Sequence, residues 1–251
     1  MEKTLQFSDL LRLIEERSTA FQAVVAAAPS LDAIVPTCPE WTLFDLAEHI
    51  GTGRFAWAAT VAAGPDATTK SSTDAVAPVD RAELSAWLAD STRALVDALR
   101  DAGPDRGCWV WWEQSQSPAT CGAVARHQLQ QMAVHTYDAQ ITVGTPQPLP
   151  EEIALDGVEE FLFTCCATTA AWPHEPAVVD YHATEGRSWR VRLSADGAQV
   201  GPLTAEAADA TATGTASQLV EFFYGRISPD AVKLDGDPRV FDKLFAWDPD
   251  A

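Results

Sequence analysis

Basic residues are scarce in this chain: 17 lysines and arginines stand against 36 aspartates and glutamates, a formal net charge of −19 at pH 7. Such a charge repels nucleic acid and anionic lipid, so the expected partner is a small molecule, with no nucleic acid and no membrane involved. Cysteine is sparse as well. Cys38, Cys108, Cys121, Cys165 and Cys166 are odd in number and show no CxxC spacing. That argues against a disulfide framework or a thiolate zinc knot, and for a reducing, cytoplasmic setting. No apolar run approaches the ~18 residues of a membrane span. Met1 to Asp9 lacks the basic and apolar regions of a secretory signal. Internal repeats and heptads are missing too, which leaves the oligomeric state open.

What is present is ample apolar material, 47% of 251 residues, enough for a packed core without staples. From Phe7 to about Ala28, Leu10, Leu11, Ile14, Phe21, Val24 and Val25 recur at helical spacing, with Ser8 or Asp9 as the cap. A proline-punctuated loop from Val35 to Trp41 follows. Thr42 with Asp45 three positions on then reads as a capping box for a second helix through His49 to about Ala63. Gly51 and Gly53 lie inside it, each costing up to ~1 kcal/mol against alanine, so a close neighbour or ligand is expected there. Past a polar linker, a third helix spans Asp80 to Ala102. Beyond the passage containing Trp109, Trp111 and Trp112, which is expected to pack on the bundle, a fourth runs from about Ala119 to Ile141.

Three prolines between Gly144 and Pro150 place a boundary between domains 1–145 and 151–251. The second domain reads as α+β. A helix runs from Glu151 to about Ala171, and Ala177 to Ala183 and Ser188 to Leu193 alternate like the arms of a hairpin. A strand at Ala210 to Thr213, a helix from Ala216 to Tyr224 stopped by Gly225, a strand at Val232 to Leu234 and a helix from Arg239 to Phe245 complete it. The fold class is therefore α+β, a helical bundle followed by a smaller α+β domain.

On the fourth helix His127, Gln131 and His135 fall along one stripe, each a turn beyond the last. If the second helix faces it, His49 joins them. His49, Gln131 and His135 then form a three-ligand set with an open position for a catalytic divalent ion. His127 is the alternative ligand if the helix is rotated, and Asp138 or Asp45 can orient an imidazole. The spacing HxxxQxxxH is far less specific than HExxH, and two histidines two turns apart are also ordinary core residues. Cys121 reads as a small buried side chain before it reads as a nucleophile. His174 and His182 need no more than surface or hairpin roles.

The run from Val35 to Gly51, with Cys38-Pro39-Glu40-Trp41-Thr42 and Asp45-Leu46 ahead of His49, resembles the first motif of the mycothiol-dependent maleylpyruvate isomerase family. Ala133 to Ala139 around His135 resembles its second motif. Ala212 to Ser217 and Tyr224-Gly225-Arg226 extend the likeness into the second domain. The resemblance implies a DinB-like four-helix bundle whose ligands to a divalent metal, usually zinc, fall at His49, Gln131 and His135. Mycothiol is implied as the thiol cosubstrate, and Arg226 as a functional arginine clamping a substrate carboxylate, although at the end of a helix it reads equally as a cation meeting the dipole. It thus implies a thiol-dependent isomerase or transferase. The family's glutamate is Gln131 here; exchanging carboxylate for amide raises the site charge by one unit and should weaken cation binding. That departure keeps two other readings open: a bundle that has lost catalysis and serves as a binding or regulatory module, and a thiol-independent metal hydrolase.

Overall fold

A computed structural model of the chain describes residues 5–249, which form two compact units. The first takes the chain up to Trp111 together with Ala119–Leu149; the second takes Trp112–Pro118 and the described chain from Pro150 onward. The segment Trp112–Pro118 is thus an excursion out of the helical unit that a split at the proline linker does not include.

The first unit is a four-helix bundle of α1 (Phe7–Ala27), α2 (Leu43–Ala63), α3 (Arg81–Ala102) and α4 (Cys121–Thr142). Helix α1 packs on α3 and α4, and α2 on α3 and α4. Phe21, Leu43, Leu46, Leu84, Leu88 and Met132 meet in its core. The start of α1 is capped at Gln6, whose N–H donates to Asp9 at 3.3 Å. Thr42 and Asp45 close the expected box on α2: Asp45 N–H donates to the Thr42 hydroxyl at 3.2 Å and Thr42 N–H to the Asp45 carboxylate at 2.8 Å. Asp80 caps α3 through Ala82 N–H and Glu83 N–H. A Cβ on Gly51 would collide with the Trp87 ring, so this glycine lets α3 approach. The proline-rich stretch before α2 is a short antiparallel hairpin of β1 (Ile34–Val35) and β2 (Cys38–Thr42), in place of the expected loop. Its backbone pairs despite Pro36 and Pro39 because neither proline is at a paired position; the pairs are Ile34 with Thr42 and Val35 with Cys38.

The second unit is a five-stranded mixed sheet backed by helices. It contains α5 (Glu151–Phe161), a π-helical turn Leu162–Cys166, β3 (Ala177–Ala183), β4 (Ser188–Ser194), β5 (Gly197–Gly201), β6 (Ala210–Gly214), α6 (Ala216–Phe223), β7 (Lys233–Gly236) and α7 (Arg239–Ala246). The strand order is β5-β4-β3-β6-β7, with β3 and β6 parallel. The helix after the linker leaves the α-form at Leu162, short of the expected Ala171. Strand β5 is an addition to the expected elements, since a five-residue segment with two glycines carries little β-propensity. Gly197 sits at φ +102°, where a Cβ would also strike the Thr168 carbonyl. One face of the sheet meets aromatic side chains: Tyr181 packs edge-on to Phe223 at 5.0 Å, and Phe223 stacks on Phe161 at 4.8 Å. By strand alternation Asp180 points to the other face. There the Arg190 guanidinium grips both its oxygens at 2.7 Å.

Candidate metal centre

His49 projects from the second turn of α2, beside the β1–β2 hairpin. Trp41 at the end of that hairpin lies against it, ring centroids 4.8 Å apart and tilted by 45°. From the facing α4 comes His135, whose ring meets that of His49 nearly edge-on, at 5.3 Å and 74°.

A buttress fixes the His135 ring. Its Nδ1 lies 2.9 Å from Oδ2 of Asp138, three residues along the helix and fully buried. The other oxygen of that carboxylate accepts the Thr37 hydroxyl at 2.6 Å. Thr37 sits in the turn of the β1–β2 hairpin, so one carboxylate ties the hairpin to α4 and orients the imidazole. Asp45, the other acid within reach of such a role by sequence, is turned to the helix cap, and its bonds to Thr42 hold its carboxyl below the usual range.

His49 is exposed on a cleft of about 690 Å³ lined by Trp41, Glu48, Gly53 and Lys70 among others. Flanking protein still desolvates the ring, and the nearby His135 and Lys70 add positive potential. Together these push the His49 pKa down to about 4, so at neutral pH it carries a free lone pair. Lys70 lies 5.3 Å over the Trp57 ring, and burial lowers its pKa too. A Cβ on Gly53 would meet nothing within 4 Å. This second glycine keeps the cleft wall low and serves no packing contact.

Gln131 lies on α4 one turn before His135 and is half-buried. His127, a further turn back, is buried with its ring edge-on to Trp111 at 5.7 Å. The structure therefore brings His135, and not His127, to His49. In the bundle Trp109 packs toward Trp57 at 6.1 Å, while Trp111 is half exposed. In the second unit Arg226 follows Gly225, which terminates α6 at φ +66°. One of its N–H groups donates to the Tyr224 carbonyl at 2.7 Å, and the guanidinium lies 6.0 Å from that residue's ring. Sequence reasoning misses Thr37, Trp41 and Lys70 as members of the site. The first two stand inside the Val35–Gly51 motif, which is the available signal; Lys70 lies in a polar linker that offers none.

Two family models match the chain: the mycothiol maleylpyruvate isomerase N-terminal domain over residues 11–140, and the C-terminal domain of the same family over residues 152–243. Among solved structures, the mycothiol-dependent maleylpyruvate isomerase superposes with a TM-score of 0.58 at 13% identity, covering 92% of this chain and 93% of that one. A histidine-to-alanine variant of that isomerase gives the same TM-score at 12% identity, with the same coverage. No curated protein matches. Among the described residues no helix is long and apolar enough to cross a membrane.

Proposed function

The chain belongs to the mycothiol maleylpyruvate isomerase family, and from that membership we propose that His49, Gln131 and His135 hold a divalent cation, zinc first, beside which mycothiol acts on a small carboxylate-bearing substrate. The protein is an isomerase-type enzyme of thiol-dependent chemistry. On this reading residues 1–145 are the metal-binding domain, 151–251 the accompanying α+β domain, and the five free cysteines suit a reducing cytoplasm.

The observation that carries the proposal is the His49–His135 pair. Two imidazole nitrogens ~2 Å from one zinc ion at a tetrahedral angle would set the ring centroids ~5 Å apart, and they stand at 5.3 Å. His49 is held neutral, as a ligand must be. His135, with Nδ1–H directed at Asp138, presents Nε2. The tautomer follows from that partner, since an ionised carboxylate can only accept. A divalent cation there supplies positive charge that lowers the pKa of a thiol. Thiolate addition to an activated double bond, rotation and elimination convert a cis alkene to trans; in a transferase the thiol would stay attached. Arg226 is the arginine proposed to clamp a carboxylate; one of its N–H groups is bonded to the Tyr224 carbonyl at the α6 end.

The test is metal content together with thiol-dependent turnover. Protein loaded under reducing conditions should retain one divalent ion per chain, and His135→Ala should lose it along with mycothiol-dependent activity. Stoichiometric metal absent from the wild type, with turnover indifferent to H135A, would sink the assignment. The neutral amide of Gln131 favours a second reading, a bundle demoted to binding. Gln131→Glu separates the two: new metal affinity accompanied by turnover where the wild type had none would establish the demoted bundle, and an active wild type that the change does not improve would dismiss it.

A further inference from the structure

Cys108 and Cys121 take no part in the metal centre, yet the chain sets them side by side. Gly107 and Thr120 form an isolated antiparallel bridge. Around it Cys108 N–H donates to the Ala119 carbonyl at 3.1 Å and Cys121 N–H to the Arg106 carbonyl at 2.8 Å. Both thiols therefore leave the same side of a two-stranded pairing, diagonally across the bridge and within electrostatic reach of each other. Both are free, 4% and 0% exposed. Their chain neighbours lie near the surface: Arg106 and Ala119 are exposed and Gly107 and Thr120 half-buried.

We propose that Cys108 and Cys121 are an oxidisable dithiol, which a hydroperoxide closes to an intramolecular disulfide pinning the arm before Trp109 to the head of α4. The two sulfurs have different roles. Cys121 is the first residue of α4, at the positive end of the helix, and the cation of Arg106 is within electrostatic reach. Burial raises both thiols, Cys108 to about 12, but the helix end and the Arg106 cation work in favour of a Cys121 thiolate. Cys121 is thus the attacking sulfur. It takes the terminal oxygen of the peroxide as the O–O bond breaks, releasing water from hydrogen peroxide and leaving a sulfenic acid. The Cys108 sulfur then attacks the Cys121 sulfur; the S–S bond forms as S–O breaks, and hydroxide leaves with the Cys108 proton as a second water. Two thiols lose two electrons and two protons, and one peroxide becomes two waters. Access requires a local opening of the bridge region. Because both thiols resist ionisation, closure is slow and follows sustained oxidant exposure rather than a brief pulse.

The experiment treats the intact protein with hydrogen peroxide over hours, alkylates the remaining thiols, and maps peptides without reductant. A cross-linked pair carrying Cys108 and Cys121, lighter by two hydrogens and reopened by dithiothreitol, is expected. With C108S the cross-link should vanish and a dimedone adduct appear on Cys121; with C121S neither should form. Circular dichroism melts check that both variants fold. If either does not, the wild-type time course decides, since the two thiols must disappear in step. Both remaining alkylatable after the methionines are oxidised, or either joined to another cysteine, would overturn the proposal. None of these readouts depends on a metal.

Discussion

The bundle and the sheet bury their basic groups in opposite ways. In the sheet Arg190, 2% exposed, meets a carboxylate in two-point fashion: Asp180 takes two of its N–H groups, with Thr204 and the Glu206 carbonyl beside it. Those bonds push its pKa above the ordinary value. In the bundle Arg54, 4% exposed, finds no carboxylate among the described residues. Its N–H groups donate to the hydroxyls of Ser18 and Thr92 and touch the Met132 sulfur, so three other helices share one guanidinium with neutral partners. Burial there pulls the pKa down to about 9, which still leaves Arg54 charged at pH 7. His49, although exposed on a cleft that Glu40, Asp45 and Glu48 also line, has no carboxylate bonded to its ring among the described residues and is likewise pushed downward. A metal-ligating unit has reason to be built this way, because a carboxylate near His49 would favour the protonated ring that cannot bind. The acid nearest the imidazole pair, Asp138, is turned to His135 and Thr37.

The comparison breaks most visibly at Asp180. Asp180→Ala leaves a buried cation with only the exposed Glu206 carboxylate, 3.8 Å away, and the second unit should suffer the largest loss of stability, a fall in Tm on the order of 10 °C by calorimetry. Arg54→Met should do far less. Ser18 and Thr92 keep their own donor bonds to the Ile14 and Leu88 carbonyls, so only acceptor capacity is lost. Replacing an unpaired buried charge with a side chain of similar length should leave stability unchanged or higher by about 1 kcal/mol. The sign of the pH dependence sharpens this. The folded value near 9 lies below the ordinary 12.5, so between them the unfolded chain binds more protons. Wild-type stability relative to R54M must then rise as pH climbs above about 9 and stay flat below it. Equal losses from D180A and R54M would erase the distinction between the two units.

The helices are legible in the sequence because their signals are local. The Thr42–Asp45 box, the Asp80 cap and the 3.6-residue spacing of α1 and α3 each lie within one turn or one stripe. The β1–β2 hairpin is hidden by its prolines and β5 by its glycines, and both are held by contacts distant in sequence. Helical phase likewise offers His127 and His135 on equal terms. What separates them is the Thr37–Asp138 bond, 101 residues apart in the chain, which docks the hairpin where His135 stands. Lys70 shows the same limit: nothing in a polar linker says that it will lie over Trp57 within electrostatic reach of His49.

The smallest expected effect is also the most direct reading of how the bundle treats a base. In protein stripped of metal, the His49 ring followed by NMR should titrate at about 4, against an ordinary 6.5. The unfolded chain binds the proton first as pH falls, so His49 withdraws stability between pH 6.5 and 4 and contributes none of that loss above it. Burial is the leading cause, His135 the second and Lys70 the third. His135→Gln should therefore raise the midpoint, and Lys70→Met should raise it less. A midpoint near 6.5 in the wild type would mean that the cleft does not desolvate the ring, and the contrast with the sheet would then rest on Arg54 alone.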